Sequence, residues 1–288
     1  MADAKIPRKG KPLDEVPSEI PLTDRERDQV EERARPRTAV VHETIRAEGE
    51  GELKRPVASL AWSGLAAGLS MGFSLMAVGV LRAHLPDEPW RPLIANLGYT
   101  VGFLIVVMGR QQLFTENTLT PILPLLYNKD SATLFRVARL WAVVLATNLA
   151  GASLFAFALS HSGIFDERQK AVFAQVSTES MAGTFWVIFW KGVFAGWLIA
   201  LMVWLLPAAE SAQAAVIVVL TYLVGIAGLA HVIVGSVEAF YLISAGDLTW
   251  LKYFSDFFAP VLLGNVVGGV ALVAALARAQ VIPEEGAS

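Results

Sequence analysis

Five ionisable residues stand in stretches that are otherwise apolar enough for a membrane: Arg110, Glu116, Lys191, His231 and Glu238. An ionisable group in such surroundings is expensive, so each is first read as functional, with a partner to be found. His231 lies in the middle of the apolar stretch 222–243. Glu238 follows seven residues later, and Gly225, Gly228 and Gly235 punctuate the stretch. Those glycines allow a helix to break or a neighbour to approach closely. A histidine there can relay protons, because its ordinary pKa of about 6.5 lies nearest neutrality. The alternative is a neutral histidine bonded to a carbonyl in a helix interface. Lys191 could draw anions towards a vestibule by its field, or snorkel to the interface. Glu238 could pair with Lys191 or Arg110, or mark a water-exposed break.

A second polar cluster, residues 110–118 (Arg-Gln-Gln-Leu-Phe-Thr-Glu-Asn-Thr), interrupts another apolar stretch. Irregular backbone at membrane depth must be buried in protein or line a cavity. Thr115, Asn117 and the loop amides could hydrogen-bond a small anion. Arg110 stands six residues before Glu116, and a folded-back loop would pair them. In the competing arrangement Glu116 faces the pore, takes a proton and selects against anions. An intramembrane hydrolase lacks its parts: there is no His-Glu-x-x-His, and Ser236 lies on a different face from His231. Cysteine is absent, which removes disulfides and thiolate ligands. No metal or cofactor is expected.

These residues need spans to hold them. Hydrophobic residues make up 55% of the 288. Residues 1–55 hold 12 of the 23 Lys and Arg and 13 of the 26 Asp and Glu, leaving 24 charges for the other 233 positions. That dilution marks an integral membrane protein. Residues 1–55 read as a polar, mostly disordered tail, in which Thr23 and Glu26 can cap a short helix from Asp24 to about Arg35. Its acids and bases nearly balance, which argues against nucleic acid. No signal peptide is visible.

Six apolar runs follow: 57–81, 93–114, 134–159, 181–206, 214–243 and 260–277. Each approaches or exceeds the ~20 residues that cross a bilayer as a helix. Residues 56–278 thus read as a six-span domain and 279–288 as a short tail. Trp62, Trp90, Trp141, Trp186, Trp190 and Trp250 fall towards run ends, where interfacial indoles belong; Trp197 and Trp204 do not. The distribution of Lys and Arg favours both termini inside. The halves repeat: Asn148-x-x-Gly151 in run 3 matches Asn265-x-x-Gly268 in run 6, and Gly64/Gly68 in run 1 match Gly192/Gly196 in run 4. Three runs per half require opposite topologies, and paired interruptions in runs 2 and 5 point to a transport site near the midplane. Asn148 and Asn265 are read as supports that bond the broken ends of those spans.

The combination of Leu113-Phe114-Thr115-x-Asn117, Asn148-x-x-Gly151, Lys191-Gly192, His231 and Gly264-Asn265-x-x-Gly268-Gly269 resembles the formate/nitrite transporter family across about residues 55–280. The resemblance implies an all-α, aquaporin-like fold of six transmembrane helices with an inverted 3+3 repeat, assembled as a homopentamer in a bacterial-type inner membrane. It also implies passage of small monovalent anions such as formate or nitrite, with Thr115 in the loop of span 2 and His231 near the middle of the pore; such weak acids can cross as neutral species by accepting a proton, for which His231 is suited. Ala230, Gly235, Gly196, Glu116 and Glu238 depart from the family's usual residues and mark a divergent branch. An aquaporin-like channel for neutral solutes is the alternative, but no Asn-Pro occurs anywhere in the chain.

Overall fold

The computed structural model describes residues 36–274, with side chains to residue 271, and six positions between 20 and 29. Among the described residues every regular element is a helix. Thr23 N and Oγ1 donate to Glu26 Oε2 at 2.8 and 2.7 Å, and Glu26 N donates back to Thr23 Oγ1 at 3.4 Å. This is the expected capping box; most of the helix expected after it, and the tail 279–288, lie outside the described residues.

Helix α1 spans Thr38–Lys54, inside the segment read as polar tail. Val41, Ile45, Gly49 and Leu53 recur every four residues and are buried, so the helix lays one narrow stripe on the bundle. Arg139 Nη2 donates to Leu53 O at 2.9 Å and Arg55 O at 3.2 Å, satisfying carbonyls at the end of α1. The charges on its other faces hide this stripe from a reading by composition.

Among the described residues, five stretches are long and apolar enough to cross a membrane. Helix α2 is Val57–His84, α3 is Arg91–Met108, and α5 is Ser131–His161. The fourth stretch, Phe185–Ile226, is divided at Glu210, whose φ is +41°, into α7 (Phe185–Ala209) and α8 (Gln213–Ile226). The fifth, α10, is Trp250–Ala271 and starts well before the expected Pro260. A widened turn over Tyr253–Phe258 precedes that proline. The extra width accommodates a residue that cannot donate an N–H and crowds the carbonyl four positions back. Between these stretches lie α4 (Ile122–Asn128), α6 (Glu167–Ser180) and α9 (Val232–Ala245). The apolar run 214–243 is therefore two short arms, α8 and α9, with residues 227–231 between them. Likewise the run starting at 93 ends helically at Met108 and resumes at Ile122.

The packing is organised by two helix pairs, α2 on α5 and α7 on α10, with α3 beside α2 and α8 beside α7. Both pairs are very close where Gly68 of α2 meets the Asn148 carbonyl and Gly196 of α7 meets the Asn265 carbonyl: a Cβ at either glycine would fall on that oxygen. Small residues at such crossings let helix backbones approach. Trp62, Trp90, Trp186, Trp190 and Trp250 are exposed, as interfacial residues should be. Trp197 and Trp204 are partly buried against the core. Trp141 departs from expectation: it is turned inward, and its Nε1 donates to Asn117 O at 2.8 Å.

Gly68→Val and Gly196→Val should each destabilise the fold by about 1–3 kcal/mol, because the obstructing atom is backbone and cannot rotate away. A thermal midpoint in detergent equal to wild type for either variant would show the crossing to be looser than described.

Candidate functional site

Breaking a span orphans backbone donors and acceptors at the new helix ends. Asn148, fully buried on α5, answers for the first break: its Nδ2 donates to Gly64 O at 2.7 Å and Gln112 O at 2.9 Å, and its Oδ1 accepts from Phe114 N at 2.9 Å. Asn265, fully buried on α10, does the same for the second: Nδ2 donates to Gly192 O at 2.8 Å and Ala230 O at 2.9 Å, and Oδ1 accepts from Val232 N at 2.9 Å. Gly64 pairs with Gly192, Gln112 with Ala230, and Phe114 with Val232. The residues between the bonded positions, Leu113 and His231, therefore occupy matching places.

His231 is the N-cap of α9, and its Nδ1 accepts from Val234 N at 3.3 Å. Its Nε2 lies 2.7 Å from Thr115 Oγ1, and its ring meets Phe103 edge-on at 5.0 Å. Because Nδ1 accepts an amide proton, the network assigns the imidazole's hydrogen to Nε2, which donates to Thr115. Histidine, threonine and phenylalanine are all buried: His231 is 1% exposed, Thr115 and Phe103 0%. The sequence reading singled out the first two; Phe103 carried no polar signal to betray it.

This contact stands between two cavities. One, of ≈ 210 Å³, is lined by His231, Lys191, Glu238, Tyr99, Ser180 and the Arg82–Glu179 pair, among others. The other, of ≈ 280 Å³, is lined by Glu116 and Asn117, which follow Thr115, and by Arg110, Gln112, Glu48 and Glu52. Lys191 is half-buried; its Nζ donates to Ala182 O at 3.4 Å and its carbonyl accepts from Ala230 N at 3.3 Å. Glu238 is 6% exposed and lies beside Ser180 in the cavity wall. It forms no ion pair with Lys191 or Arg110 among the described residues, so the salt bridge considered for it is absent.

The first loop folds on itself. Asn117 Nδ2 donates to Gln112 Oε1 at 3.0 Å and Leu113 O at 3.1 Å, so its amide holds the loop's shape. Thr118 Oγ1 donates to Thr115 O at 2.7 Å, and Thr120 Oγ1 to Glu116 O at 2.9 Å. Trp141 closes the loop from outside through the Asn117 carbonyl, a contact that its position near a run end concealed. The expected Arg110–Glu116 ion pair does not form among the described residues. Arg110 sits in a left-handed turn, φ +50°, while Glu116 Oε1 is buried without a partner. Arg110 and Glu48 of α1 line the same cavity. Burial raises the Glu48 carboxyl, and the Arg110 charge opposes that rise. Ser236, the nucleophile a hydrolase would need, donates to Val232 O at 2.5 Å and meets Tyr253 Oη at 2.8 Å, not His231.

The sequence matches the family described as formate/nitrite transporter over residues 39–279. It is 42% identical over 251 residues to the inner membrane protein YfdC of Escherichia coli, covering 87% of this chain and 81% of that one. It is 27% identical to the formate channel BtFdhC of Bacillus thuringiensis, covering 71% and 79%. A solved pentameric formate channel with formate bound superposes with a TM-score of 0.68 at 20% identity, covering 78% of this chain and 98% of that one. A solved FNT family ion channel superposes at 0.72 and 19%, covering 82% and 96%. At such identities the likeness is one of fold.

Asn148→Leu and Asn265→Leu should each destabilise by at least about 3 kcal/mol, since three buried backbone groups lose their partner at about 1–3 kcal/mol apiece. Thermal unfolding of the two variants measures this. For Arg110→Gln, Glu116→Gln and the double variant, thermal stabilities should be additive within about 0.5 kcal/mol, as for groups that do not touch. A larger coupling would restore the ion pair.

Proposed function

Because the chain belongs to the formate/nitrite transporter family, we propose that it is a membrane channel or transporter for small monovalent anions, formate- or nitrite-like, that move together with a proton. The observation carrying this reading is the Thr115–His231 hydrogen bond of 2.7 Å, buried between two cavities. An anion stripped of water in such a constriction loses many kcal/mol of hydration unless it is paired. A weak acid avoids that loss by crossing as its neutral conjugate. Thr115 Oγ1 and His231 Nε2–H offer it an acceptor and a donor, and His231 can exchange its proton with the passing acid. Lys191 draws anions into one cavity.

In this reading residues 56–278 form six spans in an inverted 3+3 arrangement, with α3 and α4 as one interrupted span and α8 and α9 as the other. The matched bonds of Asn148 and Asn265 support the pairing of halves. The protein assembles as a homopentamer, as does the formate channel whose fold it shares, in an inner membrane with both termini cytoplasmic. Residues 1–55 are a flanking tail whose last helix, α1, docks on the domain, and 279–288 a short C-terminal one.

Purified protein in liposomes should take up formate or nitrite faster as external pH falls; uptake of neither at any pH from acid to neutral would overturn the reading. His231→Asn keeps a side chain able to cap α9 but has no exchangeable proton near neutrality. It should assemble normally and lose acid-stimulated uptake by at least about tenfold. A wild-type pH profile in that variant would remove the histidine from the mechanism.

A further inference from the structure

We propose that Glu238 and Lys191 together form a binding site for a small weak acid in the ≈ 210 Å³ cavity, with Glu238 handing the bound anion its proton. The inference rests on the anion reading above and names the group that loads the proton before the constriction.

The geometry limits His231 in this role. Both its ring nitrogens are committed, Nδ1 to the Val234 amide and Nε2 to Thr115. A proton captured from the cavity on Nδ1 would displace the cap of α9. Glu238 has no such commitment. It lies seven residues along the same helix, about 10 Å away at 1.5 Å per residue and on the same face. It lines the cavity while more than nine-tenths buried, and no cation pairs with it among the described residues. Ser180, which lines the same cavity, directs its hydroxyl hydrogen to Ser177 O at 2.9 Å.

Lys191 lines the same cavity from α7, with one long bond of 3.4 Å to Ala182 O. A cation and a carboxyl group held apart on the walls of one small cavity leave their hydrogen-bonding capacity for a guest. The space holds roughly seven waters at about 30 Å³ each, enough for a solute of three or four heavy atoms with a little water. Such an anion places one oxygen on Lys191 Nζ and turns the other to Glu238. The Glu238 O–H bond breaks and an O–H bond forms on the anion. This leaves a neutral acid free to enter the constriction and a Glu238 carboxylate facing Lys191. Water at the outer end of the cavity, where Glu179 is half exposed, returns the proton.

The other titratable groups facing Glu238 do not compete. Arg82 binds Glu179 with two hydrogen bonds of 2.6 and 2.8 Å and holds its carboxyl below the ordinary range. That group stays charged and paired at neutral pH. Tyr99, from α3, is a phenol whose ordinary pKa is about 10, and His231 is committed as described.

The test is uptake of radiolabelled formate by the full chain in liposomes between pH 5 and 8. Glu238→Gln should flatten the acid stimulation by at least about tenfold, Glu238→Asp should restore part of it, and Lys191→Gln should weaken apparent affinity for formate at every pH. A wild-type pH profile in Glu238→Gln overturns the proposal. If Glu238→Gln does not assemble, Glu238→Asp serves alone: a shifted pH midpoint sustains the proposal, and an unchanged one overturns it. If wild type moves neither formate nor nitrite, the transport reading fails separately. Glu238 is then judged by thermal stabilisation with acetate across the same pH range. Stabilisation at acid pH that Glu238→Gln loses sustains the site, and stabilisation equal in both proteins, or none, overturns it.

Discussion

Everything at the centre of this protein depends on how two broken helices keep their backbone groups bonded in apolar surroundings. A break of a few residues strands several N–H and C=O groups, each worth about 1–3 kcal/mol if left buried and unpaired. Asn148 and Asn265 resolve this with the only kind of side chain that offers two donors and an acceptor without charge. Each reaches a loop carbonyl, a loop amide and a carbonyl of the helix packed against its own. The third bond also explains the close glycine crossings. With Gly68 against Asn148 and Gly196 against Asn265, the helices approach far enough for one amide to span both the neighbouring helix and the loop.

Once the breaks are stable, they create the site. A continuous helix would satisfy its own amides, leaving a histidine in its middle to point sideways at a neighbour. Because α9 begins just after the break, His231 is an N-cap, with one nitrogen on the helix's first turn and the other reaching the opposite loop. The loop it meets owes its shape to Asn117, Thr118 and Thr120 and to the inward-turned Trp141. The catalytic-looking residues and the structural ones are therefore one hydrogen-bonded unit, and loss of a scaffold bond at Asn265 would move His231 directly, through Ala230 and Val232 on either side of it.

What the sequence discloses follows from how each feature is encoded. The helical, membrane-spanning character, the two interruptions and the matched asparagines are encoded as polarity against an apolar background and were legible, whereas the expected six runs correspond to five stretches of spanning length among the described residues. Residues that serve the site through shape were not: Phe103 is one more apolar residue among many, and Trp141 reads as an interfacial anchor until the loop beneath it is placed. Helix α1 escaped because its stripe is one residue wide among charges. The Arg110–Glu116 pair failed for a local reason, since six residues of separation permit a contact but the left-handed turn at Arg110 directs it elsewhere. Spacing bounds what can meet; backbone direction decides what does.

The two halves share a scaffold but not a chemistry, and the difference is confined to a few positions. Between matched bonded neighbours, one loop carries Leu113 and the other His231; the first break supplies its polar group two residues later, as Thr115, so the contact between cavities joins unlike positions of the two loops. The cavities differ in the same sense. The larger is lined by the carboxyl groups of Glu48, Glu52 and Glu116 with Arg110, the smaller by Lys191, the Arg82–Glu179 pair and the carboxyl group of Glu238. With Arg82 held by Glu179, Lys191 is left to attract anions in the smaller cavity, whereas in the larger the carboxyl groups outnumber Arg110. A neutral acid, by contrast, is indifferent to the sign of either field. In the proposed reading, a solute that gives up its charge on the way escapes that difference, and Glu238, His231 and Thr115 are the groups placed to exchange its proton.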